Sequence, residues 1–257
     1  MRSQIALGLL VAAAAVVVTS AWTISEVGKN NRAIRNGFDA LNARVDRLRP
    51  GTVGHEHSDV RKFVIATHLA RTKSPIVFLG DSITEAAVVP DSICGRPVVN
   101  AGIGGAGVDD LLRVAPSLLD DKSPSLVVVA IGTNDAYPSP EREQGFRASY
   151  VKLLQTLSQI TPKVVVANIP PVDPKGGLTA ASGIDPSLID RLNLLLPKIA
   201  EDAGASFIDL NKAVSAEGAT QTVDGVHLAP RAYDLWDAVM PKGVTKALDC
   251  PPKADAR

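Results

Sequence analysis

Four short segments of the chain carry residue types able to act on a carbonyl group. Gly80-Asp81-Ser82-Ile83-Thr84 offers a hydroxyl nucleophile, although Gly-Asp-Ser alone is also ordinary turn and N-cap chemistry. The run Asn100-Ala101-Gly102-Ile103-Gly104-Gly105-Ala106-Gly107 is small enough for backbone N–H groups to approach a bound oxyanion. Gly132-Thr133-Asn134-Asp135 supplies a side-chain amide donor. Asp224-Gly225-Val226-His227 sets a carboxylate three residues before an imidazole, a spacing at which the acid can hold Nδ1–H and leave Nε2 free as a base. A Ser hydroxyl is a poor nucleophile at neutral pH, so such a base would have to take its proton during attack.

Chemistry spread over so much chain needs elements that bring the four segments to one edge. Apolar, β-branched runs at Ile76–Leu79, Val98–Asn100, Leu126–Ile131, Val164–Ile169 and Ser206–Leu210 read as strands. Helical patterns at about 57–71, 107–120, 141–160, 185–203 and 231–248 alternate with them. Nearly continuous apolar strands separated by helices imply a parallel sheet covered on both faces, a three-layer α/β/α sandwich. In such sheets ligands bind at the carboxyl ends of the strands, where the first three chemical segments fall.

Together, and in this order, the four segments resemble the SGNH (GDSL-type) hydrolase family, whose name lists one residue from each of four motif blocks. The resemblance spans about residues 75–248. It implies a flavodoxin-like, five-stranded parallel sheet of order 2-1-3-4-5 and a serine ester hydrolase acting through an acyl-enzyme. It also implies Ser82 as nucleophile, His227 as general base and then general acid, and Asp224 as the group that orients the imidazole. Gly105 N–H, the Asn134 amide and Ser82 N–H would form the oxyanion hole. Gly105 is chosen over its neighbours because the family's second block places its glycine five residues after the Asn, here Asn100. Ile83 stands where many members have Leu, a mild change. The implied substrate is a small acyl ester, on an acylated glycan or a lipid-like molecule, with no cofactor and no metal. An acyltransferase using the same acyl-enzyme, with a sugar hydroxyl in place of water, is the alternative; a non-catalytic envelope protein that binds acylated ligands is a third reading. In the 2-1-3-4-5 sheet, Cys94 before the second strand and Cys250 after the last helix would meet at the face opposite the site, so a disulfide between them is expected.

Several segments are decoys. Residues 102–107 also spell G-x-G-x-x-G after a strand, but Asp120 and Asp121 sit at the end of the following helix and not at the next strand tip, which argues against dinucleotide binding. His55-Glu56-His57 lacks a third metal ligand and reads as a solvated helix start. His68 falls in a helical pattern as a surface or core residue, and Asp135 would support its loop by hydrogen bonding. Tyr137 and the loop Pro170–Gly183 follow strand ends and are candidates to line the substrate site, the Gly176-Gly177 pair suggesting a mobile loop and not a fixed wall.

Composition agrees with one enzyme domain plus an extension. The 257 residues hold 27 Lys+Arg against 27 Asp+Glu, 46% hydrophobic residues and 2 Cys, which excludes a disulfide-dense mini-scaffold, a low-complexity chain and the basic footprint of a nucleic-acid binder. The zero sum hides two parts: residues 1–50 carry seven Lys/Arg against three Asp/Glu, so the rest is acidic by the same margin. Ser3 to Ser25 holds no charge and is long enough as a helix to cross a bilayer. Residues 1–23 are therefore a signal anchor or a cleaved signal peptide, with retention favoured because a helical pattern continues beyond them. Ile24, Val27, Asn31, Ile34, Phe38, Leu41, Val45 and Leu48 follow alternating spacings of three and four, a heptad seam that would pair two chains through residues 24–48. A single amphipathic helix on the bilayer is the other reading, and Gly28 and Gly37 weaken either helix. Residues 24–54 are thus a stalk and linker, and 55–257 the hydrolase domain. Lys/Arg counts around the apolar stretch do not fix orientation, with Arg2 on one side and Lys29, Arg32 and Arg35 on the other. A disulfide would favour an exported domain. The expected location is a bacterial-type cell envelope, with the domain in the periplasm on an inner-membrane anchor, or secreted if the segment is cleaved.

Overall fold

Gly80 and Gly102 end two neighbouring parallel strands in register, and a short helix lies directly on both of them. In this computed structural model, which describes residues 56–139, 141–215 and 221–250, that junction is the centre of a six-stranded sheet. The chain runs α1 (His57–Ala70), β1 (Ile76–Gly80), α2 (Ser82–Ala86), β2 (Ser92–Ile93), β3 (Arg96–Gly102), α3 (Val108–Leu119) and β4 (Leu126–Ala130). It continues through α4 (Arg142–Ser158), β5 (Val164–Ala167), α5 (Gly177–Ser182), α6 (Pro186–Asp202), β6 (Ser206–Ile208), α7 (Leu210–Ser215) and α8 (Pro230–Leu248). Sheet order is β2-β3-β1-β4-β5-β6.

The five strands expected from the apolar runs are all parallel, in the 2-1-3-4-5 order counted without β2. The sheet is nevertheless mixed and six-stranded, which corrects the five-stranded expectation. Ser92–Ile93 pairs antiparallel with Arg96–Pro97 through the two-residue turn Cys94-Gly95, both at positive φ, the geometry of a tight hairpin turn. Two residues are too few for an alternating pattern to register in sequence.

Alternation along the strands divides the core into two layers. Val77, Leu79, Val99, Ala101, Val127, Val129 and Val166 face α1, α3, α4 and α6, while Ile76, Phe78, Leu126, Val128, Val165 and Ala167 face α7 and α8. Trp236 of α8 packs on Phe78, ring centroids 5.7 Å apart, at the middle of the second layer. Helix starts follow local chemistry: Asp81 and Asp185 cap α2 and α6 by accepting from Ile83 N–H and Ser187 N–H, and Asp110 reaches back to Gly107 N–H at the start of α3.

Glycines at the strand ends let α2 sit where it does. A Cβ on Gly80 would lie 2.0 Å from Thr84 Oγ1 and 2.6 Å from Ala130 O, and one on Gly102 would lie 2.2 Å from Glu85 N. Only bare backbone admits the helix at this distance.

Cys94 and Cys250 are bonded to each other, with Cα atoms 6.1 Å apart. Since Cys94 precedes β3, the bridge lies at the amino ends of the strands, away from the Gly80 and Gly102 ends. The apolar stretch and the heptad seam at residues 1–48 lie outside the described residues. Among the described residues no helix is long and apolar enough to cross a membrane.

Candidate active site

Ser82 opens α2 immediately beyond β1, and His227 comes to it from a turn near the other end of the chain. His227 Nε2 lies 2.9 Å from Ser82 Oγ, and its Nδ1 lies 2.7 Å from Asp224 Oδ2. The carboxylate is split between two tasks. Oδ1 accepts from Val226 N–H at 2.9 Å and His227 N–H at 2.8 Å, which builds the turn, and Oδ2 takes the imidazole. Burial opposes the charge on Asp224, but the hydrogen bonds from the His227 ring and from these backbone groups outweigh it and hold the carboxyl at about 2. A carboxylate that stays ionised only accepts, so Nδ1 carries the proton and Nε2 faces the Ser hydroxyl as an acceptor.

The turn is braced from both sides. Thr222 bridges Leu228 in antiparallel fashion, Val223 N–H donates to His227 O at 2.9 Å, and Pro230 starts α8 directly after. On the other side Asp173 N–H donates to Gly225 O at 2.8 Å and Leu178 N–H to Asp224 O at 2.9 Å. Pro170–Gly183, expected to be a loop, holds the short helix α5. The segment is hydrogen-bonded to the Asp224–His227 turn, because Gly176 permits a backbone contact with Gly225 that a side chain would prevent.

Asn134 lies in a 3₁₀ turn, Thr133–Asp135, just past β4. Its Nδ2 donates one hydrogen to Ala106 O at 3.0 Å, tying it to the glycine-rich segment and leaving its second hydrogen to point elsewhere. Gly105 is exposed, with φ of 78°, and among the described residues no acceptor is bonded to its N–H. It also walls a groove of about 440 Å³ whose other sides include Ser58, Lys62, Asp110 and Arg113. Tyr137 is half-buried, its carbonyl accepting from Arg142 Nε, and it is not part of that groove's wall.

Two buried carboxyls lie close behind. Asp81, the residue before Ser82, is pushed up to about 6 by burial, against the bonds from Ile83 N–H and the Thr133 hydroxyl. Asp135 is pushed up to about 7, again by burial, against the bond from Val108 N–H. Asp135 carries the supporting role expected of it: its two oxygens lie 3.1 and 3.3 Å from Val108 N, at the start of α3.

Sequence reading missed Glu85, Arg61 and His57 as parts of this neighbourhood. Glu85 Oε2 accepts from Gly104 N–H at 2.7 Å, and His57 does not stand free at its helix start but reaches Glu85 at 3.0 Å. The signal available in sequence was the position of Glu85, one helical turn after Ser82. His68 is exposed on α1.

A sequence model of the GDSL-like Lipase/Acylhydrolase family matches residues 78–235, more than half of the chain and all four motif segments. Among solved structures, a candidate acylhydrolase from Bacteroides fragilis NCTC 9343 is 26% identical, with a TM-score of 0.59 over 71% of this chain and 95% of its own. A GDSL-like lipase from Bacteroides thetaiotaomicron VPI-5482 is 24% identical, with a TM-score of 0.60 over 75% of this chain and 100% of its own. An acetyl-xylooligosaccharide esterase from a Geobacillus, solved as a mutant, is 18% identical, with a TM-score of 0.53 over 69% of this chain and 94% of its own. The last two are alike in fold. No curated protein sequence matches the chain. The chain belongs to the GDSL-like lipase/acylhydrolase family and is an ester hydrolase.

Proposed function

We propose that the protein cleaves small acyl esters through an acyl-enzyme on Ser82. The observation that carries this reading is the unbroken relay from Asp224 through His227 to Ser82, with contacts of 2.7 and 2.9 Å. Ser82 Oγ attacks the ester carbonyl as its proton passes to His227 Nε2, and the ionised Asp224 stabilises the imidazolium that forms. Negative charge then gathers on the former carbonyl oxygen, where Gly105 N–H, Ser82 N–H and the second hydrogen of Asn134 Nδ2 are the donors. The imidazolium returns its proton to the departing alcohol oxygen as the C–O bond breaks. Water, deprotonated by the same nitrogen, attacks the acyl-enzyme, and Ser82 recovers its proton.

The groove beside Gly105 is lined by Ser58, Lys62, Asp110 and Arg113 over Ile103 and Leu111; Ser82, Asn134 and His227 are not in its wall, so it supports only an outer contact for a polar, hydroxyl-rich alcohol such as a glycan carrying a short acyl group. The Geobacillus neighbour, an acetyl-xylooligosaccharide esterase, has the same fold and agrees with that direction. Full-length protein, a fluorophosphonate probe and intact-mass analysis test the mechanism. Wild type should gain one phosphonyl group and hydrolyse p-nitrophenyl acetate, and Ser82→Ala should do neither. Labelling that survives in Ser82→Ala would overturn the assignment.

We further propose that the enzyme works outside the cytoplasm, held to the membrane by its N-terminal segment. The Cys94–Cys250 bond and the uncharged stretch Ser3–Ser25 support this, since disulfides persist in oxidising compartments. Protease digestion of the domain in spheroplasts, but not in intact cells, is the expected result; protection in spheroplasts would overturn it.

A further inference from the structure

We propose that Glu85, clamped by Arg61 and His57 of α1, is a positioning residue that fixes the glycine-rich oxyanion segment relative to Ser82. The proposal rests on the esterase reading of Ser82 and adds to it a part of the chain that the family match does not reach, since α1 ends before residue 78.

Glu85 and Ser82 share the five-residue helix α2, so the carboxylate is rigidly linked to the hydroxyl through one turn of backbone. From there Glu85 Oε2 accepts from Gly104 N–H at 2.7 Å, and Gly104 is the immediate neighbour of Gly105. Hydrogen bonds to a charged acceptor are short and strong, and this one sits where a shift of the segment would carry the Gly105 N–H with it. Arg61 secures the carboxylate from behind. Its Nε lies 3.2 Å from Glu85 Oε1 and also donates to Gly102 O at 3.0 Å, and its Nη2 reaches Asn100 O at 3.4 Å. One guanidinium thus grips both the carboxylate and the strand end that leads into the segment. The two side chains are only 18% and 20% exposed, so solvent does little to screen them. His57 adds a third contact, 3.0 Å from Glu85 Oε2.

A second set of bonds closes the same frame. Asn100 Nδ2 donates to Thr84 O at 2.7 Å and Ala87 O at 3.0 Å, while its Oδ1 accepts from Gly102 N–H at 3.0 Å. Ile103 N–H donates to Gly80 O at 3.0 Å. These hold the base of the segment. Glu85 reaches its tip at Gly104 from the side of Ser82, and Asn134 reaches it at Ala106 O from the other. Two of the proposed oxyanion donors, Ser82 N–H and Gly105 N–H, come from separate strand ends, and their relative placement depends on a link of this kind. Preorganised donors gain their effect from being fixed before charge develops. Glu85 supplies that fixity without touching substrate.

The test is steady-state kinetics of the full chain on p-nitrophenyl acetate, with affinity for a boronic acid that forms a tetrahedral adduct on Ser82. Glu85→Ala should lower kcat by about tenfold to a hundredfold, part of the loss seen when an oxyanion donor is deleted outright, with KM within about twofold. Boronate affinity should fall with kcat. Glu85→Gln keeps an acceptor for Gly104 N–H and should restore most of kcat. Arg61→Met leaves the Gly104 bond in place but frees the carboxylate, and should give a smaller fall in kcat; it carries the test where Glu85→Ala does not fold. Unchanged kcat and boronate affinity in folded Glu85→Ala, or in Arg61→Met, would overturn the proposal, as would a loss confined to KM. A wild-type chain that hydrolyses no ester and takes no fluorophosphonate would instead overturn the esterase reading beneath it.

Discussion

Gly176 and Gly225 meet backbone to backbone: a Cβ on Gly176 would lie 2.1 Å from Gly225 Cα, and a Cβ on Gly225 would lie 2.4 Å from Thr179 Oγ1 and 2.7 Å from Gly176 Cα. The turn carrying Asp224 and His227 is therefore set by a neighbour that tolerates no side chain. Gly176→Ala should push the turn away from Ser82. Displacements of about 1 Å at reacting groups cost on the order of a hundredfold, so kcat should fall by at least about tenfold while the melting temperature changes by only a few degrees. Stopped-flow ester hydrolysis beside thermal unfolding measures both.

Asp224→Asn leaves an amide in place of the carboxylate that fixes the Nδ1 proton. An Asn side chain can present N–H to the ring and turn the wrong nitrogen toward Ser82, so kcat should fall by about 10⁴-fold, as for the same change in a serine protease triad. Rates from single-turnover acylation would check it; a loss below tenfold would mean that the acid acts only on the turn.

Asn134→Ala removes the amide that Ala106 O anchors. If its second hydrogen meets the oxyanion, kcat should fall by about 10²–10³-fold with KM little changed. A rise in KM with kcat preserved would place Asn134 in ground-state binding. The p-nitrophenyl acetate assay separates the two.

The carboxyls make opposite demands on pH, Asp224 from a partly exposed turn and Asp81 and Asp135 from the interior. Asp224 is held low, at about 2, so its contribution to stability is present above the ordinary carboxylate range and is lost as pH falls through about 2. Asp81 and Asp135 are held high, at about 6 and about 7, so the fold binds their protons more tightly than the unfolded chain does. Their ionisation therefore costs stability as pH rises from about 4 to about 7. Asp135→Asn should flatten that slope and raise the melting temperature more at pH 8 than at pH 4. Calorimetry across this range is the measurement, and an equal shift at both ends would refute the linkage.

Reduction of Cys94–Cys250, which are 156 residues apart, should lower stability by about 2–5 kcal/mol, because a long loop is freed in the unfolded chain. The relay lies at the opposite ends of the strands, so activity at low temperature should persist. Urea unfolding with and without reductant, alongside Ellman titration, reads both effects.

Ile76–Gly80 and Leu126–Ala130 were legible because they are buried on both faces and read as unbroken apolar runs, whereas Arg96–Gly102 and the edge strand Ser206–Ile208 are only partly buried and were found from shorter apolar cores between helical patterns. Asp224 and His227 were legible because their spacing is local, and Ser82 because its segment follows such a run. What escaped was encoded in contacts between distant segments. Glu85 looks like any exposed helical acid until Gly104 and Arg61 are brought beside it. Gly176-Gly177 reads as slack when taken alone, and Gly176 becomes a constraint only when Gly225 lies against it, while Gly177 has open space around it. The antiparallel strand at Ser92–Ile93 is defined by its turn, Cys94-Gly95, more than by its own two residues.

The disulfide also divides the molecule by connectivity. It closes a ring of chain from Cys94 to Cys250 that contains Gly105, Asn134, Asp224 and His227, and Ser82 lies on the arm outside that ring. A single peptide cut anywhere inside the ring leaves one covalent molecule, with every fragment still attached. A single cut between Ser82 and Cys94 severs the covalent path from that hydroxyl to the imidazole of His227. The stretch Ile83–Ile93 is thus the sole covalent tether between Ser82 and the other three motif segments, and Glu85 lies on it.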